Sequence, residues 1–580
     1  MGAGQHLGVP TGPVTVTEAV TEMSPSPPSA AGGPGARRLG LAVVVLTLIA
    51  FLILGGFEAW RDSATFDEPV YVSSGVAAIL HHDLADNAEH PPLFKVLAAL
   101  PVLAVGPVVP ADGHWNVNNE RTYSARFVEA QIRAGTMHRV TFASRLVPLL
   151  ECGLLALALY GLAALLFGIW SGVVAALLWL LDPVVLGLGH LDGVDLPFAL
   201  TTVLVSWALV RWLRRRDGRS SVWLGVACGA AVSAQTTGIL VGAVAVGVVV
   251  VAAVRSGQRG WQLWRQPVAV VLVAWALVWA VYIALDPGIV VHSWVILPQP
   301  YVEGLKFLAT NDTGSSPGFL LGVSWTGASV WFWPATLLVK LSTPVLVLLL
   351  AGPLALVALV RSGRISRSTW RQTLVAVVLP ALVLFIFELP NPRTLGVRYL
   401  LPSIALWIVA ASPIALVVTR RLAAMAMTLV LAAAAAVAVS SFPNSIASTA
   451  APFRPGYRVA TDSNVDWGQD FGLLSTWSRG RHPYVAYFGP RGITGADIAG
   501  SRPLVGAAPA HITGWVAASA SDLTSADRDS LSWLRAYCPV GTLGGSILLY
   551  YFTVAPTAGA GPPAPAPLCT GSVSHRVAGE

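Results

Sequence analysis

Two adjacent carboxylates, Asp67 and Glu68, follow the first long apolar run of the chain and are the residues best suited to chemistry. A carboxylate is ionised at neutral pH and can accept a proton from a hydroxyl group, so this pair could supply a general base. Residues 65–68 also fit the S/T-x-x-E capping box, in which Thr65 and Glu68 satisfy free N–H groups at a helix start. The two interpretations are compatible, because the cap leaves Asp67 free to project outward.

The composition indicates that this pair belongs to a membrane protein. Of the 580 residues, 55% are hydrophobic and only 11% are charged, against roughly 25% charged in soluble domains. The chain is therefore predicted to be a polytopic α-helical membrane protein, with the lipid bilayer as its first partner. The formal charge of +7 comes from arginines in short clusters between apolar runs. Such clusters report membrane topology, so no nucleic-acid partner is predicted.

About 20 apolar residues are needed to cross the hydrocarbon core of a bilayer. We predict eleven such spans, at residues 39–58, 145–167, 171–189, 195–213, 221–236, 238–254, 267–285, 342–360, 372–388, 399–418 and 422–441. Residues 1–36 are rich in Pro, Gly and Ser without apolar periodicity, which predicts a disordered cytoplasmic tail. The division of 221–254 into two short spans is chosen because it keeps the later arginine clusters on one side.

The arginine clusters decide the orientation of the spans. They follow the fourth, sixth, eighth and tenth spans, and Arg37 and Arg38 precede the first. The positive-inside rule then places the N-terminus in the cytoplasm and predicts a multi-pass protein of the cell membrane. Three hydrophilic regions consequently face outward: 59–144, 286–341 and 442–580. Because Asp67 lies in the first of them, the chemistry is predicted to take place outside the cell.

Residues 442–580 are predicted to form a small extracytoplasmic α/β domain that ends in a Pro/Ala-rich tail. Strands are expected at 484–488, 512–517 and 547–552, and helices at 471–477 and 527–537. An outer location permits a disulfide between Cys538 and Cys569, although the tail could also leave Cys569 mobile. No cysteine has the spacing of a metal site.

Several motifs follow the Asp67-Glu68 pair in a fixed order, within a resemblance that covers residues 40–555. They are Glu89-His90-Pro91-Pro92-Leu93 with Lys95, Arg145 at the second span, His190–Pro197, Lys340 before Thr343-Pro344, Gly396–Pro402 (GVRYLLP) and Asp462–Asp470 (DSNVDWGQD). With these motifs the sequence resembles the polyprenyl-phosphate-dependent glycosyltransferases of the GT-C class. That class contains the protein O-mannosyltransferases and the lipid A aminoarabinose transferase. The pair alone is a weak signal, and the ordered set is a strong one.

The resemblance implies a GT-C-like fold of about eleven transmembrane helices, with residues 37–441 as the glycosyltransferase domain. It implies inverting transfer of a sugar from a polyprenyl-phosphate donor to a hydroxyl of an extracytoplasmic acceptor, which could be a protein, a lipid or a cell-wall glycan. Asp67 is then the general base, and Glu68 orients Asp67 or the acceptor. The departing phosphate needs cations, and the candidates are Arg398, Lys340 and Arg145. Snorkelling or structural ion pairing stays open for all three.

Other polar residues are candidates for binding the acceptor or the sugar: Asp192, Asp195, His90, Tyr399, Asp466, Trp467 and Gln469. For Asp192 and Asp195 helix capping is the simpler alternative, for His90 a structural corner before two prolines, and for Asp466 and Trp467 a turn with a buried Trp. No cofactor is required by this chemistry. A divalent metal at Asp67 and Glu68 is possible, but no spaced ligand set supports it.

One departure from the resemblance concerns the donor. Family members often carry a lysine between the spans predicted as fifth and sixth, where this chain has 233–237, Ser-Ala-Gln-Thr-Thr. Two rival functions also stay open. One is a transporter or flippase of polyprenyl-linked sugars, although the chain shows no internal repeat and its ionisable residues collect at span ends. The other is a non-catalytic membrane protein that binds cell-wall glycan through residues 442–580.

Overall fold

The computed structural model describes residues 1–2, 34–110, 120–292, 296–311, 317–418, 421–505, 509–524, 531, 533–535 and 537–556. Within these residues, nine helices are long and apolar enough to cross a membrane. They are Arg37–Arg61, Met137–Phe167, Asp195–Arg215, Gly238–Arg255, Trp261–Leu285, Thr343–Arg361, Arg367–Glu388, Val397–Val417 and Arg421–Ser441. The first begins at Pro34, and Arg367–Glu388 includes a π-helical turn at Leu374–Val378. The predicted polytopic helical fold is confirmed.

Two of the eleven predicted spans, 171–189 and 221–236, are not among these nine helices. The segment 171–189 is divided into helices Ile169–Leu180 and Pro183–Leu188. The break lies at Asp182, whose carboxylate accepts a hydrogen bond from the Val184 N–H at 2.9 Å and caps the second helix. The segment 221–236 is helix Gly218–Ala234, which has 17 residues.

The membrane helices differ in how much of their surface the protein covers. The apolar windows of Met137–Phe167, Asp195–Arg215 and Val397–Val417 are 61%, 72% and 67% buried, so these three helices form the centre. Those of Arg37–Arg61, Trp261–Leu285 and Arg421–Ser441 are only 22%, 17% and 11% buried. Apolar side chains left uncovered on such helices are suited to contact with lipid.

The first outer region contains three helices, Glu68–His81, Pro92–Ala104 and Glu120–Ala134. The first two lie on either side of the His90-Pro91-Pro92 corner. They pack so closely that a Cβ at Gly75 would clash with the carbonyl group of Lys95. The close approach holds the intervening loop, which carries Glu89 and His90, against the Glu68–His81 helix.

The second outer region is also structured. It contains helices Ile289–His292, Gln299–Asn311 and Phe332–Lys340. An antiparallel hairpin of β1 (Pro317–Leu320) and β2 (Val323–Thr326) lies between the last two helices.

The C-terminal region forms a five-stranded mixed sheet. Its strands are β3 (Tyr484–Ala486), β4 (Arg502–Pro503), β5 (Gly514–Ser519), β6 (Gly541–Leu543) and β7 (Ile547–Phe552), in the order β4-β3-β5-β7-β6. Strand β3 is parallel to β4 and β5, and β7 is antiparallel to β5 and β6. Helices Phe471–Ser478 and Ala520–Thr524 accompany the sheet.

The sheet packs against the first outer region. Leu474, Val485, Ala517 and Leu549 share one buried apolar cluster with Val128 of the Glu120–Ala134 helix. Most of the helix expected at 527–537 and the whole of the Pro/Ala-rich tail beyond residue 556 lie outside the described residues. Cys569 lies there too, so the disulfide with Cys538 stays a prediction.

Candidate active site

The Asp67 carboxylate is held between two guanidinium groups. Asp67 precedes the Glu68–His81 helix at its N-cap position, without capping it through its side chain. Its Oδ2 lies 2.9 Å from Nη2 of Arg398, and its Oδ1 lies 3.4 Å from Nη2 of Arg121. Arg398 comes from the start of a span near the end of the membrane domain, whereas Arg121 comes from the first outer region.

This arrangement sets the protonation state of Asp67. Burial raises the pKa of the carboxyl group, but the charges of Arg398 and then Arg121 outweigh burial and bring the pKa below its ordinary value. Asp67 is therefore ionised at neutral pH. It is a weak base while both arginines remain bound to it.

Arg398 is the residue on which the site converges. Its Nη1 lies 3.6 Å from Oδ2 of Asp195. Its guanidinium carbon lies 4.2 Å from the ring centroid of Trp467 and 5.0 Å from that of Tyr399. The flat guanidinium group is thus packed on aromatic faces while its N–H groups reach two carboxylates.

The meeting of Arg398 with Trp467 depends on contact between two motifs that are distant in the chain. A Cβ at Gly396 would clash with Oγ of Ser463, so any larger residue there would have to displace the Ser463 hydroxyl. The Ser463 hydroxyl donates to the carbonyl oxygen of Leu395 at 3.0 Å, and the Val397 N–H donates to Oδ1 of Asn464 at 3.0 Å. The C-terminal region therefore completes the site by docking on the membrane domain.

A cavity of about 520 Å³ lies at this junction. Of the residues predicted from the sequence, Asp67, Arg398, Asp195, His90, Tyr399 and Trp467 line it. It is also lined by residues that the sequence analysis did not select for the site, including Arg121, Glu89, Asp462 and Arg393.

Glu68 does not line this cavity; it pairs with Arg145, and both side chains are almost wholly buried. Arg145 donates to both oxygens of Glu68, at 2.8 and 2.7 Å, and to the carbonyl oxygens of Ala59, Asp62 and Ser63. These bonds use all five N–H groups of the guanidinium group. Arg145 is therefore a structural cation that fixes the loop before Asp67, and the structure does not bring it to the cavity.

The capping interpretation is correct only in part. The Thr65 N–H donates to Oε2 of Glu68 at 2.7 Å, as a capping box requires. However, the helix begins at Glu68 and not after Thr65. The hydrogen bond from Thr65 to Glu68 therefore closes a turn of the loop before the helix. Glu68 is held in place at this turn by its ion pair with Arg145.

Lys340 does not line the cavity either. Its ammonium group is buried and donates to three backbone carbonyls, those of Ile446, Ser448 and Asn464. It thus ties the end of the Phe332–Lys340 helix to the C-terminal region. With three acceptors for three N–H groups, Lys340 has no donor left for a phosphate in this arrangement.

Three other predicted residues lie beside the cavity without lining it. Asp192 is buried, and its backbone N–H donates to Oε1 of Glu68 at 3.0 Å. Asp466 is buried and accepts from the Ser521 N–H at 2.8 Å. Gln469 accepts from the Trp467 N–H at 2.8 Å and donates to the Val465 carbonyl at 2.9 Å, so it braces the loop that carries Trp467.

Some lining residues carried a signal in the sequence and others did not. Glu89 and Asp462 belong to the motifs quoted above, and burial raises the pKa of the Asp462 carboxyl to about 6. Arg121 lies in an ordinary polar helix, and nothing local distinguishes it. Gln235 and Thr236 stand in the segment where a lysine is common in the family, and they line the cavity. The departure from the family pattern therefore falls inside the site.

Metal binding has no support in the described part of the chain. There, no group of three or more His, Cys, Asp or Glu side chains is arranged to hold a metal ion. Asp67 and Glu68 also turn to different partners, Arg398 and Arg145. The possible divalent site at this pair stays untested.

Comparison with known proteins gives one family. Residues 132–283 match the family model of the dolichyl-phosphate-mannose-protein mannosyltransferases. The matched segment includes Arg145 and Asp195, whereas Asp67 and Arg398 lie outside it. The match confirms the predicted resemblance and the predicted enzyme class, a membrane glycosyltransferase. No curated protein sequence matches the chain.

Solved structures with a similar course of the chain include three glycosyltransferase systems. ArnT from Cupriavidus metallidurans bound to undecaprenyl phosphate is 16% identical, with 74% of this chain and 68% of that chain covered and a TM-score of 0.44. The archaeal oligosaccharyltransferase AglB from Archaeoglobus fulgidus is 11% identical, with 87% and 73% covered and a TM-score of 0.46. The protein O-mannosyltransferase Pmt1–Pmt2 complex of S. cerevisiae is 16% identical, with 49% and 39% covered and a TM-score of 0.29.

Proposed function

We propose that this protein transfers a sugar, with inversion, from a polyprenyl-phosphate donor to an acceptor hydroxyl on the outer face of the membrane. The observation that carries the proposal is the Asp67 carboxylate, which lies in a cavity and is paired with Arg398 at 2.9 Å. A base and a phosphate-binding cation side by side are what this reaction needs.

The lining of the cavity suits an amphipathic donor. Its charged part contains Asp67, Arg121 and Arg398, and its apolar part contains Ile239, Leu240, Leu305, Leu308 and Phe387. Ile239 and Phe387, which lie at the apolar part, are also 40% and 46% exposed. A polyprenyl chain can therefore leave the cavity between the helices Gly238–Arg255 and Arg367–Glu388, toward lipid.

The phosphate of the donor would bind at the guanidinium groups of Arg398 and Arg121. Arginine suits this role because its planar N–H groups match phosphate oxygens in pairs. Both groups are bound to Asp67 before the donor enters. A phosphate that takes over their N–H groups weakens the two ion pairs, so the pKa of Asp67 rises and the carboxylate becomes a stronger base. Donor binding would thereby prepare the base.

In the transfer step the acceptor oxygen attacks the anomeric carbon of the sugar from the face opposite the phosphate. Asp67 takes the proton of the acceptor hydroxyl as the new C–O bond forms. The bond between the anomeric carbon and the phosphate oxygen breaks, and its electron pair leaves with polyprenyl phosphate. Arg398 and Arg121 stabilise the charge that grows on that phosphate. One displacement gives inversion.

The remaining polar and aromatic groups of the cavity would hold the sugar and the acceptor. Tyr399 and Trp467 offer aromatic surface for a sugar ring, and His90, Glu89 and Asp462 offer hydrogen bonds to hydroxyl groups. Because Trp467 comes from the C-terminal region, that region belongs to the transferase site in this proposal.

The outer location of the site is part of the proposal and rests on the distribution of arginines. Asp195 at one end of its helix lines the cavity, whereas Arg214 and Arg215 lie at the other end. Clustered arginines favour the cytoplasmic side, so the cavity would face the opposite side. A cysteine introduced at exposed Arg502 of β4 should react with an impermeant maleimide in intact cells. Labelling only after lysis would contradict this orientation.

The activity is tested with purified protein in lipid nanodiscs. Polyprenyl-phosphate sugars that differ in the sugar are incubated with the protein and a cell-envelope extract that supplies acceptor hydroxyls. Release of polyprenyl phosphate and the anomeric configuration of the product are measured. The wild-type protein should consume one donor, whereas Asp67→Asn should bind it without turnover. Glu129→Gln, an exposed substitution in the same outer region, serves as the control. Normal turnover by Asp67→Asn, or a product of retained configuration, would contradict the proposed mechanism.

A further inference from the structure

A second cavity, of about 720 Å³, lies at the far end of the Asp195–Arg215 helix from the active site. It is formed between that helix and the Gly218–Ala234 helix, and three arginines lie on it: Arg211, Arg215 and Arg219. The rest of its lining is mainly apolar and includes Leu204, Trp207, Trp223, Val226, Ala227 and Ala230. Like the active-site cavity, it has a cationic part and an apolar part. The two cavities lie at opposite ends of the Asp195–Arg215 helix.

The three guanidinium groups make no hydrogen bond or ion pair within the described part of the chain, unlike their neighbours. Arg214 donates to Gln372 and Arg216 donates to Ser256. Asp217 lies between Arg215 and Arg219 in the chain, and its carboxylate accepts from the Ser220 N–H at 2.7 Å and caps the Gly218–Ala234 helix. A single carboxylate beside Arg215 and Arg219 does not balance the charge of the three arginines at the cavity.

The cavity lies at the height of the lipid headgroups on one side of the bilayer. The Asp195–Arg215 helix has 21 residues and spans about 30 Å at 1.5 Å per residue, the thickness of the hydrocarbon core. Asp195 lines the active site at its first end, and the arginines lie at its last turns. Trp223 beside them is 60% exposed, and exposed tryptophans are typical of the membrane–water interface.

We propose that this cavity binds an anionic glycerophospholipid of the cytoplasmic leaflet. The phosphate lies among Arg211, Arg215 and Arg219, and an acyl chain lies along the apolar lining. Basic pockets between membrane helices on the cytoplasmic side are suited to anionic headgroups. Leu204 and Trp223 are exposed at the edge of the cavity, so the lipid enters sideways from the bilayer. A zwitterionic lipid should bind only weakly, because its ammonium group is repelled by the three guanidinium groups.

The experiment measures lipid binding and does not need transferase activity. The full-length protein in neutral detergent is titrated with dioleoyl phosphatidylglycerol, dioleoyl phosphatidylcholine or undecaprenyl phosphate. Bound lipid is counted by native mass spectrometry, and the melting temperature is recorded in parallel. The wild-type protein should retain phosphatidylglycerol saturably and should melt at a higher temperature in its presence, whereas phosphatidylcholine should do neither.

Variants separate the site from general surface charge. The triple variant Arg211→Gln/Arg215→Gln/Arg219→Gln should bind phosphatidylglycerol on the order of a hundred-fold more weakly, since one basic residue near anionic lipid contributes about five-fold in affinity. The matched control Arg259→Gln/Arg361→Gln/Arg371→Gln removes three exposed arginines that do not line the cavity. It should bind as the wild-type protein does.

A second variant covers the case in which the triple variant does not fold. Ala230→Phe fills the apolar part of the cavity and leaves all three arginines in place, and it should also lose saturable binding. The proposal is overturned if either folded variant binds phosphatidylglycerol with wild-type affinity. It is also overturned if the control loses as much binding as the triple variant, or if only undecaprenyl phosphate binding depends on the three arginines.

Discussion

The Asp67 carboxylate lies 2.9 Å from the guanidinium group of Arg398, although the two residues are 331 positions apart in the chain. Asp67 follows the first membrane helix, and Arg398 is the second residue of the Val397–Val417 helix. Burial of a carboxylate next to a guanidinium group is favourable only when the geometry is good and further hydrogen bonds are present. Arg121 adds a hydrogen bond to Asp67, while Asp195 and the ring of Trp467 add electrostatic contacts to Arg398.

The first prediction concerns Asp67 itself. Asp67→Asn keeps the size of the side chain and removes its ability to accept a proton, so the rate of sugar transfer should fall by about 100- to 10,000-fold. Single-turnover transfer measured at saturating donor checks this. The melting temperature is recorded beside it, because Asp67→Asn also leaves Arg398 without its charge partner and lowers stability. A folded variant that transfers sugar at the wild-type rate would exclude Asp67 as the base.

The second prediction concerns Arg398 and the phosphate. Arg398→Gln removes a charge-assisted bond worth about 1.5–3 kcal/mol, so the Kd for polyprenyl phosphate should rise about 10- to 100-fold. Arg398→Lys keeps the charge without the paired N–H groups and should give an intermediate Kd. The affinity is measured by equilibrium titration of the phosphate lipid without sugar. Equal Kd values for the wild-type protein and both variants would contradict the assignment.

The third prediction concerns the pH dependence of the reaction. The pKa of Asp67 reflects burial, which raises it, and the larger combined effect of Arg398 and Arg121, which lowers it. Arg121→Gln removes one of the lowering charges, so the pKa should rise and the acid limb of kcat/KM should move to higher pH. Arg133→Gln, exposed on the same helix, is the control and should leave the limb in place. An unmoved limb in Arg121→Gln would show that the limb belongs to another group.

The fourth prediction separates structure from chemistry at Glu68. Removing one partner of a buried ion pair costs about 3–5 kcal/mol, so Glu68→Gln and Arg145→Met should each lower the melting temperature strongly. The double variant should cost less than the sum of the two, because neither charge is then left alone. Thermal unfolding in detergent measures all four proteins. A Glu68→Gln variant of wild-type stability that has lost turnover would instead support a catalytic Glu68.

The fifth prediction concerns Lys340, for which the sequence suggested a phosphate and the structure shows three carbonyls. Lys340→Met leaves those buried acceptors without a donor, and each such loss costs about 1–3 kcal/mol. The melting temperature should fall while the Kd for polyprenyl phosphate in the folded fraction stays unchanged. A weakened Kd at unchanged stability would return Lys340 to the donor site.

Arg398, Arg145 and Lys340 show the limit of what the sequence could predict about the phosphate site. All three lie near the ends of predicted spans and within motifs, and the neighbouring sequence does not show which of them binds phosphate. What separates them is the supply of acceptors around each: carbonyl groups and Glu68 consume every N–H of Arg145, and carbonyls consume those of Lys340. Arg398 meets carboxylates and aromatic rings in a cavity instead. Local sequence carries no record of such long-range partners.

The sequence by itself determined the membrane fold, its arginine pattern, the position of Asp67 beyond the first span and the resemblance to glycosyltransferases. These follow from hydrophobicity and short motifs, which are local properties. The tertiary structure alone decided that Asp67 lines a cavity while Glu68 is a structural partner of Arg145, and that Arg121 and the C-terminal Trp467 complete the site. It could do so because cavities and ion pairs are made by residues that only folding brings within a few ångströms of one another.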